Sequence, residues 1–540
     1  MNLGEPPVST EVSAPQRLPW QAYATVVVLG AAVCLALVAA KGPALFYELP
    51  HYAEIARHLA RGDGFVTGLT TPSALAGYLA MGAVDPPWPV VDRFLGHALA
   101  AALFVRCGVD PVWAVVLVDA LAVGVLLATT AALAHEVGGR RAGLIALVLA
   151  ATNPLLMCSW AQGGLADPPF AACTSLLLLL VVRQGRCAPS WRASILAGAV
   201  AGAALLLRYN FVVWLPAVVV LWWRTARPRG LAHVAVATAA AAVVAGVPFL
   251  AVWIGGSVRP SYVVGTWNWV ADVVTKEEPW TLFRVWHAEE ALAGGPGPLL
   301  RKAAGNFVDV LASAWDLFRA PLVVLCAVVG SVRREARRVV VLATLLMVPH
   351  VLMFVATRAE ATLGSVWQDR YLAPAFAPVV VVAALLLTNI GRHRLGRWLA
   401  GAVVIASASA MPLGLLDAGE LPTRAGYWGR DVIEGEPATR PIMANAAFPI
   451  AYLFDRPAVY LPASPDEALT VLGAVPMKLV IVDFSYTVRP AWTRALQHDR
   501  LRDFAAASGL TETVLGLDDA HAVGAMALRP GVAASAPPPP

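Results

Sequence analysis

Groups able to do chemistry are scarce in this chain, since only 14% of its 540 residues are charged. A concentration of them falls in 47–64, reading Y-E-L-P-H-Y-A-E-I-A-R-H-L-A-R-G-D-G, with Glu48, His51, Glu54, Arg57, His58, Arg61 and Asp63. A partly desolvated carboxylate such as Glu48 can serve as general base for a hydroxyl acceptor or help to hold a divalent cation. Pro50, His51 and Tyr52 favour a buried setting for it; a solvated loop acid is the plainer alternative. Other carboxylates border apolar runs: Asp85 in D-P-P-W-P, Asp167 in W-A-Q-G-G-L-A-D-P-P-F and Asp369 in W-Q-D-R-Y. Turn chemistry alone would explain Asp85, and an N-cap to a helix starting at Pro168 would explain Asp167. Arg208-Tyr209-Asn210 and Arg370-Tyr371 set cations beside apolar helices. Singly these are ordinary interface anchors. Together they could clamp a lipid phosphate, because Arg offers a bidentate fork. His350, deep in an apolar run beside Pro349, reads as a neutral His bonded to kinked backbone, although intramembrane ionisable residues are functional candidates by default.

The elements that must position these groups are mostly apolar. Hydrophobic residues make up 58% of the chain, and runs long enough to cross a bilayer recur along it. The sequence predicts a polytopic α-helical membrane protein with about eleven spans, near 20–40, 111–134, 142–158, 168–182, 194–207, 211–223, 231–254, 311–330, 339–356, 371–390 and 396–416. Ile55 and Leu59, four apart, make the Glu48 stretch a short amphipathic helix at the membrane surface. Val90–Arg106, interrupted by Asp92, Arg93 and His97, reads as a second surface or re-entrant helix. Arg clusters in alternate connections put those connections and the N-terminus in the cytoplasm. The parity requires 194–223 to be a hairpin of two short helices turning at Arg208-Tyr209-Asn210. Loops 41–110 and 255–310 are then extracytoplasmic, and Glu48, Asp85, Asp167 and Asp369 share that face. The second loop carries Trp267, Trp269, Trp280, Trp286 and His287, as an interfacial belt or sugar-stacking platforms.

Residues 1–19 read as a cytoplasmic tail without a cleavable signal, and 531–540 as a disordered tail. After Met411 the texture changes: R-P-I-M-A-N, P-A-V-Y-L and K-L-V-I-V-D-F read as short buried strands. Ser464-Pro465-Asp466-Glu467 is a helix-start signature. Alternation of strand and helix predicts a small, largely parallel α/β domain over 417–530, outside the membrane. The net charge of +5 is spread over the Arg groups between spans, and no nucleic-acid motif is present. The six Cys show neither metal spacing nor a disulfide framework.

In order along the chain, E-L-P-H-Y-A (48–53), D-P-P-W (85–88), L-A-D-P-P (165–169), L-L-R-Y-N (206–210) and R-Y-L-A-P (370–374) resemble the GT-C superfamily of membrane glycosyltransferases. The similar branch contains the protein O-mannosyltransferases and lipid A aminoarabinose transferases, and the resemblance covers roughly 20–416. Glu48 stands where that branch has its leading Asp, Leu49 replaces its second acid, and Asp85 replaces a Lys or His. The resemblance implies inverting transfer of a sugar from a polyprenyl-phosphate donor to an extracytoplasmic glycan, lipid or protein acceptor at a plasma membrane. It implies Glu48 and Asp167 as catalytic carboxylates, with Asp85, His51, Arg208, Arg370 and Tyr371 binding substrate. A divalent metal ion, if used, would draw on Glu48, Asp167 and His287. The competing classes are a lipid or glycan transporter, which would carry ionisable groups near the bilayer midplane and broken helices in repeated halves, and a non-catalytic scaffold of the same fold.

Overall fold

The structure is a computed structural model. It describes residues 20–44, 48–80, 82, 85–90, 93–185, 189–226, 229–254, 284, 289–290, 293, 295–334, 336–357, 362–363, 366–415, 427, 430–475, 477, 479–483, 498–518 and 523–530. His287 and the four Trp of its loop lie outside the described residues, as do both tails.

Apolar runs become helices, as they must where water cannot satisfy backbone polar groups, and so does the amphipathic stretch after the first of them. The first is α1 (Trp20–Lys41), followed by α2 (Leu49–Arg61), α3 (Pro72–Ala80), α4 (Leu95–Arg106) and α5 (Pro111–Ala151). Gly139, at φ 79°, interrupts α5. A Cβ on Gly143 would lie 3.0 Å from the Ala131 carbonyl oxygen, so the chain doubles back there and α5 is a hairpin. A π-turn (Leu155–Ser159) leads to α6 (Asp167–Gln184), α7 (Trp191–Leu207), α8 (Leu215–Thr225) and α9 (Gly230–Ile254). Gly198 and Gly202 sit against the carbonyl side of Ala237 and Ala241, the small-residue contact that lets membrane helices approach closely. Beyond lie α10 (Pro296–Ser313), α11 (Pro321–Ser331), α12 (Arg337–Thr357), α13 (Phe376–Ile390) and α14 (Arg394–Leu415).

Five helices among the described residues are long and apolar enough to cross a membrane, six if α10 and α11 form one broken span. Leu231, Val243, Val247, Leu250, Trp253 and Ile254 of α9 are exposed, as lipid-facing positions should be.

Two expectations need correction. The apolar stretch 311–330 is not one straight helix: α10 and α11 meet at 116° across a 3-10 turn, where Phe318 and Arg319 adopt φ of 60° and 51°. And α2 is not a surface helix with one wet face. Every residue from Leu49 to Ala56 is buried, because α4 and α5 pack on it and α15 (Ala447–Phe454) covers it.

The first loop pairs β1 (Val66–Thr67) with β3 (Trp88–Pro89), and the C-terminal segment builds a six-stranded sheet of order β2-β5-β4-β6-β8-β7. Its strands are β4 (Ile442–Ala444), β5 (Ala458–Tyr460), β6 (Val480–Asp483), β7 (Leu510–Asp518) and β8 (Val523–Pro530), with β2 (Leu69–Thr70) joining from the first loop. Pairings among β2, β5, β4 and β6 are parallel and those of β8 antiparallel, so the sheet is mixed. Helix α16 (Pro465–Ala474) starts as its signature demands, with Ser464 Oγ accepting from Glu467 N at 3.3 Å. Leu75 and Tyr78 of α3, with Trp88, enter the same core as Met443, Val459 and Val480. Residues of the first loop therefore complete this sheet and its core.

Candidate functional site

The site lies where α1 and α7 end, α6 begins and a 3-10 turn (Arg370–Ala375) leads into α13. Glu48 follows α1 by a short link pinned where it leaves the helix: Ala44 N donates to Gln162 O and Gln162 Nε2 donates to Gly42 O, each at 2.8 Å. Gly164, at φ 61°, abuts Leu49 so closely that a Cβ there would lie 2.6 Å from Leu49 Cα. The G-G-L-A-D run thereby seats Asp167 beside Glu48.

Arg370 bridges the parts. Its Nη1 donates to Glu48 Oε1 at 3.0 Å and its Nη2 to Tyr371 Oη at 3.0 Å. Arg208, in extended conformation at the end of α7, donates through Nη2 to Asp167 Oδ1. Its guanidinium lies between two rings, 5.5 Å from the Phe94 centroid and 5.4 Å from that of Tyr371, which suits a desolvated cation. Arg208 and Arg370 are 6% and 9% exposed, so these are buried ion pairs and not rim charges. Burial by itself would raise the Glu48 pKa. The fields of Arg370, Arg93 and Arg208 and the Arg370 hydrogen bond outweigh it and lower the value to about 2. Among the described residues, Asp167 Oδ2 and Arg208 Nε have no hydrogen-bond partner. Both are polar capacity left for a ligand.

The 3-10 turn is fixed on both sides of Arg370. Asp369 Oδ2 accepts from Phe318 N at 2.9 Å, and His350 Nε2 bonds to Tyr371 O. His350 thus serves the backbone of a neighbouring element and not its own kinked helix. Asn153 Nδ2 donates to Phe318 O at 3.0 Å, so the left-handed Phe318 has both its backbone groups held.

Of the residues singled out in the sequence, Glu48, Asp167, Arg208, Arg370 and Tyr371 meet in this cluster. Asp167 does not cap its helix; its carboxylate goes to Arg208 instead. His51 is buried one turn along α2, with its ring 6.1 Å from that of Phe448 of α15. Asp85 is exposed and stands apart from these ion pairs. Arg93 and Phe94 were missed as site residues, as was the fully buried pair His97–Asp119, 2.8 Å apart and capped by the Tyr52 ring at 4.5 Å. Their signals were present: Arg93 and His97 are charged or ionisable residues four apart in an otherwise apolar stretch, and Asp119 is a lone acid within an apolar run.

The described residues do not fit a divalent metal. Glu48 and Asp167 are each engaged with a guanidinium, and no group of three or more His, Cys, Asp or Glu that could hold a metal occurs among the described residues.

A small cavity lies one to two turns further along the same elements, lined by Thr174, Ser175, Trp214, Leu346, Pro374 and Pro378.

A family model described as dolichyl-phosphate-mannose-protein mannosyltransferase matches residues 92–254. No curated protein sequence matches the chain. Among solved structures, ArnT from Cupriavidus metallidurans bound to undecaprenyl phosphate superposes with a TM-score of 0.51 at 12% identity, over 95% of this chain and 98% of that one. An oligosaccharyltransferase from Archaeoglobus fulgidus, tethered to an acceptor peptide, gives a TM-score of 0.53 at 12% identity, over 86% of this chain and 69% of that one. With five or six apolar spans and this superposition, the chain is a polytopic membrane protein with the fold of the GT-C superfamily of membrane glycosyltransferases.

Proposed function

We propose that this protein transfers a sugar from a polyprenyl-phosphate carrier to an acceptor hydroxyl, at a site on the extracytoplasmic side of a plasma membrane. The observation that carries the reading is the buried cluster in which the Arg370 and Arg208 guanidiniums hold Glu48 and Asp167 beside Tyr371. Arg208 Nε has no hydrogen-bond partner among the described residues, and a phosphate oxygen of the donor can take it. The ArnT structure that shares the fold holds undecaprenyl phosphate.

In this reading Arg370, Tyr371 and Arg208 bind the donor phosphate, and Asp167 orients the acceptor through its second oxygen. Glu48 takes the acceptor proton. In the resting site Glu48 is too weak a base, its pKa being held at about 2 by Arg370. A phosphate that draws Arg370 toward itself removes that hold and makes the carboxylate basic when the donor is in place. The wider arrangement belongs to the same proposal: about eleven spans over 20–416, a cytoplasmic N-terminus, and an extracytoplasmic α/β domain over 417–530 completed by the first loop.

The test is sugar transfer in proteoliposomes supplied with polyprenyl-phosphate sugars and read as release of polyprenyl phosphate. E48Q should lower turnover by about a hundredfold or more; undiminished turnover of a well-folded E48Q would remove Glu48 from the mechanism. The buried His97–Asp119 pair is what a transport reading would use. Carrier movement without acceptor-dependent release of polyprenyl phosphate would favour that reading.

A further inference from the structure

One guanidinium in this site must serve two anions. Arg370 is bonded to Glu48 at 3.0 Å, and it is also the group placed to hold the lipid phosphate. We infer that Glu48 has a second role, displacing the spent lipid phosphate from Arg370 after each turnover. The inference rests on the transferase reading above.

Sugar transfer moves charge across the site without changing its total. The acceptor oxygen forms a bond to the anomeric carbon, and the bond from that carbon to the phosphate oxygen breaks, its electron pair leaving with the phosphate. The acceptor proton passes to Glu48. Before the step, a carboxylate and a phosphodiester carry one negative charge each. After it, the carboxyl is neutral and the phosphate monoester has acquired the second charge. The total facing Arg370 is the same, but one charge has crossed from one side of the guanidinium to the other. The chemical step therefore needs no counter-ion to enter or leave a site whose Arg370 is only 9% exposed.

The next step is not neutral. When Glu48 gives its proton to water, a carboxylate and a doubly charged phosphate contend for Arg370 in a poorly screened space. The carboxylate is tethered by α2 and by the pinned link after α1, and it does not diffuse away. The lipid does. Groups around Glu48 from the other packed elements sharpen the contest and do not resolve it. Arg208 has its Nη2 held by Asp167 and offers the phosphate its Nε, while Tyr371 is bonded to Arg370 itself. Tyr52, on the same helix, faces His97, and Arg93 adds positive charge at the start of α4. The resting Glu48–Arg370 pair is then the state to which the site returns once product has gone.

The experiment measures binding of polyprenyl monophosphate to the full-length protein in nanodiscs, for wild type, E48Q and E48D. E48Q removes the competing charge and keeps the shape, so it should bind the lipid at least about tenfold more tightly. E48D keeps the charge and should stay near wild type. E48A is run alongside and should move in the same direction as E48Q, so a folding failure of one neutral variant leaves the other to decide. A neutral variant that melts like wild type and binds the lipid equally or more weakly would overturn the inference while leaving the transferase reading intact. No binding by the wild-type protein would overturn the transferase reading itself.

Discussion

Glu54 stands six residues past Glu48 on α2 and does structural work. Its carboxylate accepts from Thr67 Oγ1 at 2.6 Å and from the amide of Gly68, while His58 lies 3.4 Å from it and 2.9 Å from Asp63. For Glu54, burial would raise the pKa, but the His58 and Thr67 hydrogen bonds and the field of His58 prevail and put it below the ordinary 4.5. For His58, burial would lower it, but Glu54 and Asp63 prevail and put it above 6.5. The Glu54 contribution to folding is complete above pH 4.5 and is lost as pH falls through its folded pKa. The His58 contribution is complete below pH 6.5 and is lost as pH rises through its folded pKa. Thermal melts should therefore be flattest between 4.5 and 6.5, with E54Q abolishing the acid decline and H58Q the alkaline one. At this scale the sequence was legible wherever a carboxylate or guanidinium bordered an apolar run, as at Glu48, Asp167, Arg208 and Arg370. It was silent on which acid meets which base, because Glu48 and Arg370 are paired across most of the chain.

The element with most bearing on the site outside the cluster itself is the bend between α10 and α11. Phe318 holds a left-handed conformation that costs a non-glycine residue about 1–2 kcal/mol. Asp369, Asn153 and ring contacts with Trp160 and Phe376 offset that cost. Because Asp369 immediately precedes Arg370, loosening it lets the guanidinium wander. D369A should raise the apparent donor KM by about ten- to a hundredfold with the acceptor KM unchanged. D369N, which still presents an oxygen to Phe318 N, should recover most of the loss. Hydropathy read 311–330 as a straight span because it registers transfer energy and not backbone dihedrals. The same blindness made α2 a surface helix: Ile55 and Leu59 mark one apolar face, but Leu49, Tyr52 and Ala56 are covered by helices hundreds of residues away or by α4 and α5.

In the whole molecule, the first loop and the C-terminal segment are one folded body. Arg57 pairs with Asp455 at 2.7 Å, Tyr452 Oη donates to Asp110 at 3.1 Å, and Gly68 O accepts from Ala458 N at 2.8 Å. A fragment of 427–530 made alone lacks β2, α3 and Trp88, and should be insoluble or molten by near-ultraviolet circular dichroism. Adding a peptide spanning 66–89 should restore a cooperative melt; a soluble, cooperatively melting fragment without it would show that the loop is dispensable. The three strands β4, β5 and β6 were legible from their apolar runs, whereas β2 was not, since two residues of Leu-Thr carry no periodicity and acquire strand geometry only from β5. That pairing sets a schedule for biogenesis. Leu69 leaves the ribosome early and its partner Ala458 late. At ordinary translation speeds the separation is roughly 20–80 s. Throughout that wait the early segment offers a naked strand edge and the bulky side chains of Tyr78 and Trp88 to whatever is nearby, so the nascent chain should need a holdase or the translocation machinery itself to keep it from pairing wrongly.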